Sequence, residues 1–462
     1  MDREAAEPDV DEFPGPRARR WVANHRRHAA PSTYVYEFVW DVTADAAGPF
    51  CTDLDGNVLL DFTSHVGAAP LGYNNPKVLD RLAAFDLVDP TKIAGQDFYA
   101  SVGWPPEDPD LPGAAGLMER LVDETSHYGA EAVFLSNSGA EANENAMKIC
   151  HDHRPGAKYG VTFEGGFHGR TLGVLSLNRS KAVHRRRFPE LAGVTAAPFC
   201  EDRTCTRATC DCGFFAGGRS VLRRTLDPDR GNVDPAEVAY VMVEPVQGEG
   251  GYRIPSEAFM EEVAALCAEH DVPLIADEVQ SGLGRTGTFW ASDQFAIEPD
   301  VVTAAKGLRV GATVSSREIF PEERGRLSST WGAGDLLALA QGALTVDAVH
   351  EYDLLDNAVE RGDQMLALLR AADPEYVVDV RGMGLMLAVE FDTRARREAV
   401  VRACLDRGLL TLGCGYKTLR LLPPLDVTAR EIRLGADCLL SALEDPRVRD
   451  PSPPPTTSEE VL

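Results

Sequence analysis

The chain has 462 residues, of which 72 are acidic and 46 are basic, and its formal net charge is −26. This length allows two or three domains, and a hydrophobic content of 44% is sufficient for a large buried core. The negative charge argues against nucleic acid and membranes as partners, because both bind proteins through clustered Lys and Arg. The composition therefore predicts a large, acidic, globular protein.

The basic residues are unevenly divided between the two cationic types. Only seven residues are lysine, which leaves 39 arginines. An acidic surface with few lysines is typical of a protein that works in concentrated salt, where screening weakens the repulsion between like charges. We therefore expect a halophilic protein.

The two ends of the chain, residues 1–13 and 449–462, have the composition of frayed tails, and the second is rich in proline. Residues 1–16 contain no basic stretch followed by an apolar one, and the sequence contains no run of 18 uncharged apolar residues. These features favour a cytoplasmic location.

Ten cysteines are present, and four of them cluster at Cys200, Cys205, Cys210 and Cys212. The intervals between them contain four, four and one residues, unlike the paired two-residue spacing of zinc ribbons and knuckles. The spacing favours a surface loop with reduced or oxidisable thiols over a metal site, and it leaves open whether the four cysteines bind metal or form disulfides.

Short β-branched runs alternate with helical patterns between residues 71 and 335. The predicted strands are residues 132–135, 159–163, 238–243, 273–276 and 301–305. This alternation predicts a large domain with a mostly parallel sheet, and ligand-binding residues are expected at the carboxyl ends of its strands.

A different pattern follows residue 336. Long amphipathic segments at 336–350 and 354–371 precede short strands near 385–391 and 419–422. They predict a small α+β domain over residues 336–448, to which the N-terminal segment 14–70 also belongs.

Small and aromatic residues follow the first two predicted strands. Ser138, Gly139 and Ala140 form a turn that leads into a helix, which suits a phosphate, although an ordinary capped helix start has the same residues. After the second strand, Phe167 can lie flat on a planar ligand and Arg170 can bind a carboxylate. The alternative is a core Phe167 and a solvated Arg170.

Acidic residues follow the next two strands. Glu244 and Glu249 flank a glycine-rich loop, and Asp277 ends a buried strand just before Val279 and Gln280. A carboxylate at that position is costly unless a cation faces it. The cation can be a protonated pyridine nitrogen or, alternatively, an arginine in a structural ion pair.

The fifth strand leads directly to Lys306. Burial lowers the pKa of an amine, so such a lysine can attack an aldehyde and form a Schiff base. A phosphate cradle, an aromatic wall, a partner for a ring nitrogen and this amine together predict pyridoxal 5′-phosphate as the cofactor.

With these residues in place, the sequence resembles the class III aminotransferases, a family that includes ornithine, GABA and lysine 6-aminotransferases. The densest resemblance lies in residues 274–287 (LIADEVQSGLGRTG) and 299–306 (PDVVTAAK). It implies the α/β architecture of fold-type I pyridoxal phosphate enzymes. That architecture combines a large domain, built on a mostly parallel seven-stranded sheet, with a small α+β C-terminal domain.

The resemblance also implies roles for individual residues. Lys306 would form the Schiff base and carry the proton, and Asp277 would keep the pyridine nitrogen protonated. Val279 and Phe167 would enclose the ring, and Gln280 would contact its phenolic oxygen. The full candidate cofactor-binding set is Ser138, Gly139, Ala140, Phe167, His168, Glu244, Asp277, Val279, Gln280, Lys306 and Thr330. Thr330 matches a phosphate ligand from the neighbouring subunit, which implies a homodimer or higher oligomer with shared active sites.

Three residues match the substrate side of the family. Arg420 corresponds to the arginine that binds the α-carboxylate of glutamate and 2-oxoglutarate, and Glu249 to the glutamate that pairs with it. Arg170 corresponds to an arginine for a distal carboxylate. The resemblance therefore implies an amino acid that donates its terminal (ω) amine, such as GABA, lysine or ornithine, and a 2-oxo acid acceptor, 2-oxoglutarate.

Two other functions share these residues. A racemase of the same fold is the first, since the loop with Cys200 and Cys212 resembles an insertion in archaeal-type members, some of which racemise amino acids. A non-catalytic pyridoxal-phosphate-binding regulator is the second, but such proteins carry a DNA-binding module, and this acidic chain has no basic recognition segment.

The charge gives a first testable expectation. Dialysis from molar salt into dilute buffer should unfold the protein, because the Debye length grows from about 3 Å at 1 M to about 30 Å at 0.01 M and leaves the surface charges unscreened. Circular dichroism and activity measured along a salt series test this. A chain that stays folded and active in dilute buffer contradicts the halophilic interpretation.

Overall fold

The computed structural model describes residues 1–33, 37–83, 113–329 and 335–451. The chain divides into two compact units, a larger one at Pro76–Leu355 and a smaller one that joins Met1–Asn75 to Asp356–Leu462. Thr330 and residues 452–462 of the expected C-terminal tail lie outside the described residues.

The secondary structure elements are numbered in chain order. The α-helices are α1 (Pro16–His28), α2 (Ser64–Gly67), α3 (Pro76–Ala83), α4 (Ala114–Thr125), α5 (Gly139–His153), α6 (Leu172–Leu175), α7 (Ala182–Arg185), α8 (Val221–Thr225), α9 (Glu257–Glu269), α10 (Leu336–Glu351), α11 (Leu354–Ala372), α12 (Arg394–Leu405), α13 (Ala429–Leu443) and α14 (Pro446–Arg449). The strands are β1 (Phe50–Thr52), β2 (Val58–Asp61), β3 (Ala132–Ser136), β4 (Tyr159–Phe163), β5 (Val194–Ala197), β6 (Phe215–Ala216), β7 (Arg219–Ser220), β8 (Val238–Val243), β9 (Leu274–Asp277), β10 (Val301–Ala304), β11 (Gly311–Ser315), β12 (Val377–Met383), β13 (Met386–Phe391), β14 (Leu409–Leu410), β15 (Leu412–Cys414) and β16 (Thr418–Leu421). Short 3₁₀ turns cover Ser126–Tyr128, Pro235–Glu237, Ala291–Gln294 and Lys306–Leu308.

A seven-stranded sheet forms the centre of the larger unit, in the order β3-β11-β10-β9-β8-β4-β5. Only β11 runs antiparallel to its neighbours, so the predicted mostly parallel seven-stranded sheet is confirmed. The sequence did not predict β5 or β11, because both are short and rich in Ala, Thr and Gly instead of large β-branched residues.

The core of the larger unit lies on this sheet. Every residue of β8 is buried, as expected for an inner strand covered on both faces. Ile149 of α5 packs in one cluster with Met242 and Ile275 of the sheet. A Cβ at Gly160 would lie 2.4 Å from the ring of Tyr240, so glycine allows this aromatic side chain to cross β4.

The smaller unit has two sheets of its own. An antiparallel sheet has the order β12-β13-β16-β15, and β1 and β2 form a second sheet with β14. Because β2 of the N-terminal segment pairs in parallel with β14, the two ends of the chain build one α+β unit.

The structure places two segments differently from the sequence expectation. Helix α10 belongs to the larger unit, where Asp347 pairs with Arg120 at 2.6 Å and Gly342 lies against the backbone of Leu308. Residues 1–13 are not a frayed tail, since Arg3 donates hydrogen bonds to the buried carboxylate of Glu431 at 2.7 and 2.9 Å. Composition alone could not predict these contacts, because the two partners in each contact are distant in sequence. Within the described ranges, no helix is both long enough and apolar enough to cross a membrane.

Candidate functional site

A buried carboxylate marks the carboxyl edge of the central sheet. Asp277 is the last residue of β9 and only 4% exposed. Its Oδ2 lies 2.7 Å from Nδ1 of His168 and accepts a hydrogen bond from Nδ2 of Asn143 at 2.8 Å. Its Oδ1 accepts the backbone N–H of Val279 at 3.1 Å and, as a carboxylate oxygen, can accept a further donor.

Asn143 connects Asp277 to two further elements. Its Nδ2 also donates to the backbone oxygen of His168 at 2.8 Å, and its Oδ1 accepts the hydroxyl of Thr303 at 2.6 Å. Thr303 lies directly opposite Asp277 in the parallel pair β9–β10. We call Asp277, His168, Asn143 and Thr303 the Asp277 network. The sequence analysis missed Asn143 and Thr303. Thr303 has the weak signal of a polar residue in an apolar strand, whereas Asn143 stands among several other polar residues of α5 and has no such signal.

The histidine of this network is fully enclosed. Burial lowers the pKa of His168, but the hydrogen bond and the charge of Asp277 outweigh it and raise the pKa above its usual value. The backbone N–H of His168 donates to Oδ1 of Asn178 at 2.7 Å. Its ring is thus fixed in place, with Nδ1 directed at Asp277.

Glu244 follows β8 and holds two loops together. Its two carboxylate oxygens accept the backbone N–H groups of Phe167 at 2.9 Å and of Gly248 at 2.8 Å. Burial raises the pKa of Glu244, His168 opposes this shift and Asp277 adds to it, and together with the two backbone hydrogen bonds they give a pKa of about 7. Glu244 therefore positions the backbone that carries Phe167.

The predicted phosphate turn lies against Val279 at the same edge. Ser138 caps α5 by accepting the N–H of Glu141 at 3.2 Å. A Cβ on Gly139 would lie 2.7 Å from Cγ1 of Val279 and 3.4 Å from Cβ of Ala305, so only glycine fits here. The N–H groups in the first turn of a helix have no partners within that helix and favour an anion.

Lys306 follows β10 and begins a 3₁₀ turn. Its φ of +39° lies in the left-handed region, which is costly for a residue with a Cβ and is concentrated at functional sites. Since β9 and β10 are adjacent and parallel, half-buried Lys306 and buried Asp277 share one sheet edge.

Charged and aromatic side chains surround this edge. The guanidinium of exposed Arg170 lies 5.6 Å from the ring centre of Phe167. Glu249 accepts a hydrogen bond from Nζ of Lys181 at 2.5 Å, a partner that the sequence did not predict. The side-chain oxygen of Gln280 is buried and has no hydrogen-bond partner among the described residues.

Two predicted site residues lie outside the described part of the larger unit. Arg420 is a buried residue of β16 in the smaller unit. Thr330 lies outside the described residues. The pairing of Arg420 with Glu249 and the role of Thr330 stay predictions.

Comparisons with known proteins agree with the fold. The sequence model of aminotransferase class-III matches residues 35–443. Acetylornithine aminotransferase of Thermosynechococcus vestitus is 31% identical over 405 residues, covering 85% of this chain and 90% of that enzyme. L-lysine-epsilon aminotransferase of Amycolatopsis lactamdurans is 31% identical over 456 residues, covering 93% and 96%. The structure of a lysine aminotransferase from Mycobacterium tuberculosis, solved in its internal aldimine form, superimposes with a TM-score of 0.81 at 27% identity, covering 92% of this chain and 99% of that one.

The chain therefore belongs to the class III aminotransferases, which depend on pyridoxal phosphate. The residues at the sheet edge fit this cofactor. The turn before α5 leaves a side-chain-free cradle at Gly139, the buried Gln280 oxygen lacks a partner in the described part of the chain, and Asp277 offers a fixed carboxylate.

The Asp277 network can be tested by its energetic coupling. Asn143→Ala and Thr303→Val each remove one side of the same buried hydrogen bond, so their effects on the free energy of unfolding should be non-additive by about 1 kcal/mol. Denaturant unfolding of both single variants and the double variant measures this coupling. Thr313→Val is the matched control, because the buried Thr313 hydroxyl donates to the backbone of Ala142 instead. Additive effects for Asn143 and Thr303 contradict the network.

Proposed function

We propose that this aminotransferase moves the terminal (ω) amino group of an amino acid such as GABA, lysine or ornithine to 2-oxoglutarate, giving glutamate, in a ping-pong reaction. The observation that carries the proposal is the convergence of the Asp277 network, the turn at Gly139 and Lys306 at one edge of the sheet.

The cofactor would be held by residues from four strand ends. The first-turn N–H groups at Gly139 and Ala140 would bind its phosphate, and Val279 and Phe167 would lie on the two faces of its ring. Asp277 would face the ring nitrogen, since His168 and Asn143 already fix the direction of its carboxylate. The buried amide of Gln280 would donate to or accept from the phenolic oxygen.

Pyridoxal phosphate, when bound, supplies an aldehyde and a ring that withdraws electrons from the substrate carbon. Lys306 would bind the cofactor through its amine and, once the amino donor displaces it, act as the base that moves a proton from the substrate carbon. A guanidinium cannot take this role, because it does not lose its proton in proteins. The strained backbone at Lys306 supports a functional reason for this residue.

The choice of an ω-amine rests on the substrate-side residues and on the named activities of the relatives. Those relatives act, by name, on acetylornithine, lysine or putrescine, each of which carries an amine far from a carboxylate or has no carboxylate. We propose that Arg420 binds the α-carboxylate of glutamate and 2-oxoglutarate. When the ω-amino donor is bound instead, Glu249 would neutralise the guanidinium of Arg420. Arg170 would take a distal carboxylate, and a homodimer would be the minimal active unit.

Substitution of Lys306 tests the chemistry. Lys306→Ala and Lys306→Arg should both lower transamination by about 10³-fold or more, because each removes the proton-transferring amine. The visible absorbance of the lysine-bound cofactor should disappear in both. Lys158→Ala, which changes an exposed lysine paired with Glu237, is the control and should keep both signals. Retained turnover in either Lys306 variant contradicts the proposal.

Single-turnover spectroscopy in high salt tests the substrate class. The pyridoxal form should react with at least one of lysine, ornithine, GABA, diaminobutyrate and β-alanine, and 2-oxoglutarate should restore it. Glu249→Gln should shift the preference from that donor towards glutamate by about tenfold, because the charge that offsets Arg420 is lost. Glu257→Gln, in the first turn of α9, is the control.

Two results would contradict this substrate class. If Glu249→Gln lowers the reaction rates with the amino donor and with glutamate equally, Glu249 does not select the donor. Conversion of a single enantiomer without any 2-oxo acid would instead identify a racemase.

A further inference from the structure

The four clustered cysteines, which lie between β5 and β6, come together in space. The sulfur atoms of Cys200, Cys205, Cys210 and Cys212 all lie within 4.8 Å of one another. Cys212 Sγ is 3.5 Å from both Cys200 Sγ and Cys205 Sγ, and Cys200 Sγ is 3.9 Å from Cys210 Sγ. Four thiols from one loop thus surround a common centre.

These separations match a single metal ion better than the alternatives. A disulfide requires sulfurs about 2.05 Å apart, and the cysteines of this loop form none. Four thiolates at about 2.3 Å from one tetrahedral zinc ion have sulfurs about 3.8 Å apart, from the geometry of a tetrahedron. An iron–sulfur cluster distributes its thiolates over different irons and so spreads the sulfurs more widely.

We propose that Cys200, Cys205, Cys210 and Cys212 bind one Zn²⁺ ion as four thiolates. Each thiol gives up its proton to solvent and forms one sulfur–zinc bond, so the step needs no oxidant or reductant. Four sulfur ligands select a soft ion, since Ca²⁺ and Mg²⁺ require oxygen ligands. No position is left open for substrate, which makes the site structural.

A hydrogen-bond donor lies beside the sulfur cluster. Ser256 donates a hydrogen bond to Cys200 Sγ at 3.4 Å. A hydrogen bond to sulfur orients a thiolate ligand and tunes its binding to zinc.

Nearby carboxylates do not replace this set. Asp202 and Asp211 lie close to Cys205, but both are exposed. The side chain of Asp202 already accepts the N–H and the hydroxyl of Thr204, at 2.8 and 2.7 Å. The buried sulfur group therefore provides the ligands, with Cys200 and Cys205 on its inner side.

The ion would fix the loop against α9, which in turn packs on β4, the strand that leads to the candidate site. Ser256 at the start of α9 donates its backbone N–H to the Cys200 carbonyl at 3.1 Å. Phe199 and Phe214, at the two ends of the loop, pack on Phe259 of α9 with ring centres 4.9 and 4.6 Å apart. Phe259 also contacts Phe163, the last residue of β4, at 5.0 Å. The loop thereby supports the strand that leads to Phe167 and His168.

Elemental analysis tests the proposal directly. Protein purified in reducing buffer without added metal or chelator should contain about one zinc per chain by inductively coupled plasma mass spectrometry. The double variant Cys205→Ser/Cys210→Ser should contain almost none and should melt at a lower temperature. Cys438→Ser, which changes a half-buried cysteine of the smaller unit, is the matched control and should keep its zinc.

A second measurement uses the unmodified protein and does not depend on variant folding. Replacement of zinc by Co²⁺ should give intense sulfur-to-cobalt charge-transfer bands and visible bands of a tetrahedral ion. Two results overturn the proposal. One is the absence of bound metal after incubation with equimolar zinc, while all four thiols react freely with a thiol reagent. The other is a mass lower by four hydrogens, which indicates two disulfides. Transaminase activity is not a readout here, so this test stands apart from that of the proposed function.

Discussion

The arrangement of residues at the carboxyl edge of the central sheet depends on the hydrogen-bond partners of the buried Asp277 carboxylate. A carboxylate that is only 4% exposed costs several kcal/mol unless partners replace water around it. His168 and Asn143 supply them, and they come from the loop after β4 and from α5. Because Asn143 also bonds to Thr303 of β10, one charge fixes the mutual positions of a helix, a loop and two strands. Loss of any partner would leave the charge buried and loosen all four.

The sequence predicted the parts of this edge that each strand carries by itself. Asp277 and Lys306 follow apolar runs, and position after a buried strand is a local signal. The sequence did not predict the roles of Asn143, Thr303 and Lys181, because each side chain bonds to a partner that is distant in sequence. The same limit explains the missed strands β5 and β11, whose small residues form strands only beside neighbours that are already in place.

The cysteine loop shows a different limit of sequence analysis, because rules based on spacing cover only known motifs. Intervals of four, four and one residues differ from familiar zinc motifs, which favoured a loop without metal. A ligand set is defined by where the chain brings its sulfurs, and turns in this loop bring four of them within 4.8 Å. Spacing rules describe the loops that are already known, whereas tetrahedral geometry applies to any loop.

Because lysine is scarce in this chain, a lysine at a candidate site suggests a role that arginine would not fill equally well. Arginine accounts for 39 of 46 basic residues, so it supplies most of the permanent cations of the chain. The role proposed for Lys306 requires the loss of its proton, which arginine does not permit. Lys181 is different, because its partner Glu249 needs only a cation. An ammonium is a point charge that releases a carboxylate more easily than the two-pronged guanidinium does. A glutamate that must change partners between two substrates would therefore be better held by lysine than by arginine.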